Sequence, residues 1–262
     1  MIELTLYVIL TALASGIIIG IFLSTFGGGG SVLAAPLLLY FVGLTDPHLA
    51  IGTSALSVAI TAFMSMLGHW KGGRVKWPCA LVFGSFGLIG SIIGSSVAKV
   101  IDGDALLLAF AIAMLAIGLS MFRKSTTVGD ASVQINWFYA RRLMPLGLLV
   151  GFAAGFFGIG GGFLIVPGLM LATGMPITLA SASSLVSVTI FGIATAGNYA
   201  LAGWVDWRLA GLLVAGGFLG GLVGQRIAKL LTNRIALARN GFAALICVVA
   251  VYVGWQAVSA FV

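Results

Sequence analysis

Charge is what this sequence has least of. Of its 262 residues, 7% are Asp, Glu, Lys or Arg and 61% are hydrophobic, against about 25% charged in a soluble globular domain. A chain so composed cannot solvate its own surface, which excludes a soluble enzyme or a disordered interaction tail. It holds six acidic residues, and no Asp, Glu, Lys or Arg falls in the middle of a long apolar run. Buried carboxylates mark proton relays in membranes, so a carboxylate-driven proton pump is not expected. Cysteine is equally scarce: Cys79 and Cys247 alone are too few for a disulfide framework or a metal cluster. With two histidines, no buried acid and no metal-ligand spacing, no catalytic set emerges. We expect neither an enzyme, nor a cofactor, nor a bound metal. The first twenty residues contain Glu3 but no Lys or Arg, so they lack the basic start of a cleaved signal peptide and read as a retained first helix.

What is present is apolar chain in lengths that suit a bilayer, roughly 17 to 25 residues per crossing. Apolar segments lie near 5–24, 31–43, 48–68, 78–98 and 105–122, and again near 143–157, 162–174, 177–203, 208–225 and 240–261. No polar domain separates them. The whole chain reads as an all-α polytopic membrane domain whose net charge of +7 sits in short loops beside helix ends. Lipid headgroups and topology account for charge placed there, and no nucleic-acid partner is expected.

The segments repeat. "FGGGGSVLAAPLLLYFVG" from Phe26 aligns with "FGIGGGFLIVPGLMLATG" from Phe157, pairing Gly27 with Gly158, Gly29 with Gly160, Gly30 with Gly161 and Pro36 with Pro167. Beyond them "PHLAIGTSAL" meets "PITLASASSL", pairing Ser54 with Ser183, and "GRVKW" at Gly73 meets "GWVDW" at Gly203. Gly87, Gly90, Gly94 and Lys99 then fall opposite Gly217, Gly220, Gly224 and Lys229. Two related membrane repeats, 1–122 and 143–262, are joined by a cytoplasmic linker, 123–142, into one transport domain.

The basic residues choose between parallel and inverted halves. If the halves are inverted, one face receives Lys71, Arg74, Lys76, Arg123, Lys124, Arg141, Arg142, Arg226, Lys229, Arg234 and Arg239, leaving Lys99 and Arg208 opposite. Parallel halves divide the same residues almost evenly, a poor instruction for one-way insertion. We therefore expect inverted repeats with both termini outside the cytoplasm. The acids agree: Glu3, Asp46, Asp102, Asp104 and Asp206 lie outside and Asp130 inside.

Segments 31–43 and 162–174 carry the functional signal. Thirteen residues make about 20 Å of helix, against about 30 Å of hydrocarbon. Short, glycine-broken segments at matching places in two halves point to a transporter site near mid-membrane. Helix starts near Gly30–Ser31 and Gly161–Gly162 would aim free N–H groups at the breaks, and two such ends brought together would hold an anion. Candidate substrate contacts are Gly27, Gly28, Gly29, Gly30 and Ser31 in the first half, with Gly158, Gly160, Gly161 and Gly162 in the second. Neutral hydroxyls and an amide would line the rest: Thr53, Ser54, Ser183, Ser184 and Asn198, with Ser24, Thr25 and Ser181 nearby. The runs "GSFGLIGSIIG" and "GGFLGGLVG" read instead as helix-packing faces. His69, beside Trp70 at the end of a span, reads as an interfacial residue.

These motifs in this order resemble the sulfite exporter TauE/SafE family of membrane permeases, over almost the whole chain. The resemblance implies secondary transport of a sulfur-containing anion, sulfite or an organosulfonate, in the export direction across a bacterial cytoplasmic membrane. Its partners would be that small anion and the bilayer, and a homodimer is left open. One departure is Ser31, which follows the first glycine run where the second half continues "FGIGGGF" with Gly162, so Ser31 breaks the symmetry. Two other classes compete with this reading. A cation or metal permease would use backbone carbonyls at half-helix ends, but carboxylate and sulfur ligands for a transition metal are missing. A thiol-disulfide electron carrier of the CcdA/DsbD type is echoed by "WPCAL" at Trp77. However, Cys79 pairs with Leu209 and Cys247 with Ala116, so no symmetric cysteine pair exists.

Overall fold

The computed structural model describes residues 5–122, 135–158, 162–230 and 235–260. Every described element is helical. In chain order they are α1 (Leu6–Phe26), α2 (residues 27–42), α3 (Pro47–Lys71), α4 (Trp77–Ala98) and α5 (Gly103–Met121). The second half follows with α6 (Trp137–Phe157), α7 (Gly162–Thr173), α8 (Ile177–Leu201), α9 (Trp207–Leu230) and α10 (Ile235–Ala260). α2 is irregular: a 3-10 stretch Gly27–Leu33, one α turn Ala34–Pro36 and a π stretch Leu37–Val42. Helix starts are capped as the sequence dictates, by Thr5 on α1, Asp46 on α3, Asp102 on α5 and Asn136 on α6. Each cap side chain accepts a backbone N–H that would otherwise lack a partner. Among the described residues eight apolar stretches, Leu6–Val42 counted as one, have the length and composition to cross a membrane, and Leu164–Thr173 is a shorter apolar helix.

The ten elements are two sets of five. Among the described residues positive φ is confined to Gly27, Gly43, Gly73, Gly158, Gly174 and Gly203, which are three pairs of equivalent positions. The duplication therefore extends to the backbone turns. Equivalent helices α3 and α8 form the centre and run antiparallel, with Gly52 against Tyr199 and Trp204, and Gly192 against Ala55 and Ala59. Antiparallel pairing of equivalent helices is what inverted halves require.

Around this centre each half embraces the other. α1 runs parallel to α9: a methyl on Gly16 or Gly20 would strike the Leu213 or Gly217 carbonyl, and one on Gly216 or Gly220 the Leu13 or Ile17 carbonyl. α4 pairs with α6 in the same way, through Gly147 on Phe83, Gly151 on Gly87 and Gly155 on Ser91. Lipid is as apolar as leucine, so such helices are held by close packing rather than by apolar burial. The expectation that "GSFGLIGSIIG" and "GGFLGGLVG" are packing faces matches this geometry. Large apolar side chains point the other way: Ile89, Ile92 and Ile93 on α4 and Leu219, Leu222 and Val223 on α9 are all exposed.

The parallel pairing also sets the course of α2. α9 begins at the turn bonded to Thr53, near the start of α3, so α1 begins at that same end. α2 leads into α3 there and therefore doubles back along α1 as a helical hairpin. α7 does the same beside α6. α6 begins at Trp137, so residues 137–142 of the expected linker are helix.

Candidate functional site

The two glycine breaks meet backbone to backbone. α1 ends at Gly27, with φ 69° and ψ −147°, a combination open only to glycine. Its counterpart Gly158 ends α6 with φ 65° and ψ 16°, in the left-handed helical region. A methyl group on Gly28 would overlap the Gly162 Cα, and one on Gly162 would overlap the Gly28 carbonyl. Gly27 lies on the Ser181 backbone in the same manner. Gly160 and Gly161 lie outside the described residues.

Ser184 ties this junction to the central helix α8. Its hydroxyl accepts the Gly28 N–H at 3.2 Å and donates to the Ser181 carbonyl at 2.8 Å. Gly27, Gly28, Gly29, Gly30 and Ser31 are all buried. The helical turns begin at Gly27 rather than near Ser31, because Gly27 alone makes the break and the glycines after it can wind tightly. Ser31 donates to the Gly28 carbonyl at 2.7 Å and so stabilises the turn that presents Gly28. Gly30 rests on the Leu23 backbone and Gly29 faces the Phe242 ring. Phe242 itself stacks on Phe26 at 4.6 Å and on Phe22 at 5.3 Å between ring centres.

Thr53 and Ser183 perform a second task. Thr53 Oγ1 accepts the Asp206 N–H and Ser183 Oγ accepts the Lys76 N–H, each at 2.9 Å. Each bond clips a turn of one half to the central helix of the other, at opposite ends of the molecule. The two clips are equivalent positions of the duplication, so Thr53 pairs with Ser183 and Ser54 with Ser184. The alignment of Ser54 with Ser183 is thus one residue out of register. The pairing Ser54–Ser184 is seen in their bonds: Ser54 donates to the carbonyl of Ile51 at 2.9 Å as Ser184 does to Ser181. Gly158, next to the second break, packs on Ile51, which brings Ser54 and its helix alongside.

Asn198 is not brought to the junction. Its amide oxygen accepts from Lys99 Nζ at 2.6 Å, and its Nδ2 donates to Ser95 and Ser96 at 2.7 and 2.9 Å. Those groups satisfy it at the far end of α8. Thr25 is likewise occupied, donating to the carbonyls of Ile21 and Gly224. His69 departs most from its interfacial reading: it is 7% exposed, and Nε2 lies 3.4 Å from the Ser24 carbonyl oxygen. Nothing in "LGHWKGG" announces that contact, which depends on a residue 45 positions away.

Comparison with known proteins agrees with this architecture. The family model described as "Sulfite exporter TauE/SafE" matches residues 12–253. A "Probable membrane transporter protein" of Xylella fastidiosa (strain Temecula1) is 42% identical over 255 residues, covering 97% of each chain. The "Probable membrane transporter protein YunE" of Bacillus subtilis (strain 168) is 31% identical over 253 residues, covering 88% of this chain and 92% of its own. With eight apolar helices in two interlocked sets and a match along nearly its whole length, this multi-pass membrane protein belongs to the sulfite exporter TauE/SafE family of membrane transporters.

Proposed function

We propose that the chain is a secondary transporter, not an enzyme, that exports a small sulfur-containing anion, sulfite or an organosulfonate. It would reside in a bacterial cytoplasmic membrane with both termini outside the cytoplasm. The observation that carries the reading is the junction of Gly28 with Gly162. Two chain breaks from equivalent positions meet there, against a serine hydroxyl, with no acidic side chain among the described residues around them. Backbone N–H groups at helix starts carry partial positive charge and suit anionic oxygens. When the anion enters, Gly28 N–H and the Ser184 hydroxyl exchange their mutual bond for bonds to it, and the second break supplies the opposing donors. The inner and outer clips at Ser183 and Thr53 then open alternately as one half rocks on the other.

The direct test is sulfite efflux from proteoliposomes, with sulfonates, thiosulfate and sulfate as competitors. Saturable efflux, blocked by a subset of the panel and weakened about tenfold or more by Ser184→Ala, is the expected result. Folded protein that moves none of these anions would overturn the anion reading.

A further inference from the structure

One titratable side chain stands out among the described residues of the membrane helices. His69 is buried near the end of α3 beside the last turn of α1, three residues before the break at Gly27. A carbonyl oxygen can only accept, so the contact of Nε2 with the Ser24 carbonyl makes Nε2 the protonated nitrogen of the neutral ring. Nδ1 is then a bare lone pair, and it has no partner. Ser24 Oγ, on the residue the ring touches and 1% exposed, has none either. Two neighbouring orphaned polar atoms, each costing about 1–3 kcal/mol when buried, call for an explanation by something that binds there.

The groups facing the ring are few. Arg74, in the turn after α3, bears on it electrostatically and donates its backbone N–H to the His69 carbonyl. α1 offers Ser24 and no basic residue in its last turn. α9 lays the neutral amide of Gln225 against Gly68, one residue before His69. Among the described residues no hydrogen bond or ion pair joins a carboxylate to the ring. An imidazolium formed here would need an anion brought to it, and the candidate anion site begins at Gly27 and Gly28.

We propose that His69 is a proton-binding site that couples anion movement to one proton. Nδ1 takes a proton from water when the anion occupies the junction and returns it when the anion leaves. Forming the N–H bond breaks one O–H bond of a hydrated proton and frees a water molecule, release reverses both, and the added positive charge offsets one negative charge of the substrate. The position equivalent to His69 is Tyr199, fully buried with its hydroxyl also unpartnered. A phenol keeps its proton at neutral pH, so the second half offers a polar contact without a change of charge. The other imidazole of the chain, His48, stacks on Trp204 beside Tyr199 with its Nδ1 also unpartnered, but it lies at the opposite end of α3 from the Ser24 contact.

The proposal rests on the anion-transport reading, and its test separates the two. Proteoliposomes containing a pH-sensitive dye are given a gradient of isethionate, whose sulfonate carries no proton near neutrality, or of sulfite in alkaline buffer. Anion exchange is followed in parallel. The wild type should move protons with the anion, whereas His69→Gln and His69→Tyr should retain exchange within about threefold and lose the proton flux. Variants that still move protons as the wild type does would overturn the proposal, as would wild-type exchange without proton movement; both leave anion transport standing. Absence of exchange in the wild type would remove the transport reading and this proposal with it. If neither variant folds, imidazole 15N resonances of wild-type protein decide the matter. With two histidines in the chain, His48→Gln assigns them, and His69 should hold its proton more tightly with sulfite present, by the reciprocity of linked binding. A titration indifferent to the anion would overturn the proposal.

Discussion

Adjacent glycines in one run do different work. Gly28 touches backbone, since any Cβ there would overlap the Gly162 Cα, and backbone cannot give way. Gly29 touches the edge of the Phe242 ring, which a built Cβ would approach to 3.1 Å, and a ring can tilt by a few tenths of an ångström. Overpacking in a tight interior costs about 1–3 kcal/mol, and a backbone clash lies at the upper end or beyond. Gly28→Ala should therefore lose folded protein or transport together, while Gly29→Ala should cost less than about 1 kcal/mol and keep both. Size-exclusion profiles with thermal unfolding in detergent, then anion exchange, measure the contrast. Equal damage from the two would mean that Gly28 and Gly162 do not touch.

The residue scale is also where sequence reading stopped short. Glycines paired across the halves were legible because adjacent glycines exceed what a packing face requires, a helix surface needing small residues only every three or four positions. The hydroxyls were not. The spacing between the repeats changes from 131 residues at Gly27 and Gly158 to 130 at Thr53 and Ser183. Pairing Pro47 with Pro176 takes the spacing down to 129, one residue too far, and so sets Ser54 opposite Ser183. Asn198 was legible as polar in an apolar run, but its partner Lys99 lies on another helix. His69 looked interfacial because Trp70 and Lys71 follow it, whereas its burial depends on how α1 crosses α3.

At the scale of elements, the proposed mechanism makes the clips at Thr53 and Ser183 the closures of the two ends. Each bond is worth about 0.5–1.5 kcal/mol net, so removing one acceptor should raise opening at its own end by about two- to tenfold. Val75 and Val205, buried in the two clipped turns, are the reporters. In a background lacking Cys79 and Cys247, Ser183→Ala should speed maleimide labelling of Val75→Cys and leave Val205→Cys unchanged. Thr53→Val should do the reverse. If either variant exposed both ends equally, the clips would not be separate gates. The helices themselves were largely readable from apolar length and capping residues. The doubling back of α2 along α1 was not, because a pattern of apolar residues carries no direction.

For the whole molecule, interlocking of the halves is the property that matters. α1 lies on α9 and α4 on α6, so each half is held by the other through contacts too close for any side chain. Under the proposed alternating access, such faces would slide or rock as rigid bodies rather than deform. The duplication, the membrane setting and the family were legible in motif order. The interlock was not, since it joins residues 64 positions apart on α4 and α6 and 197 to 203 apart on α1 and α9.

The central claim is that the two ends open in alternation around an anion. Labelling of Val75→Cys and Val205→Cys, each in oriented proteoliposomes with and without saturating sulfite, tests it most directly. The account predicts reciprocal change: sulfite slows labelling at one end and speeds it at the other. Two ends that respond together, or neither responding in protein that binds sulfite, would contradict it.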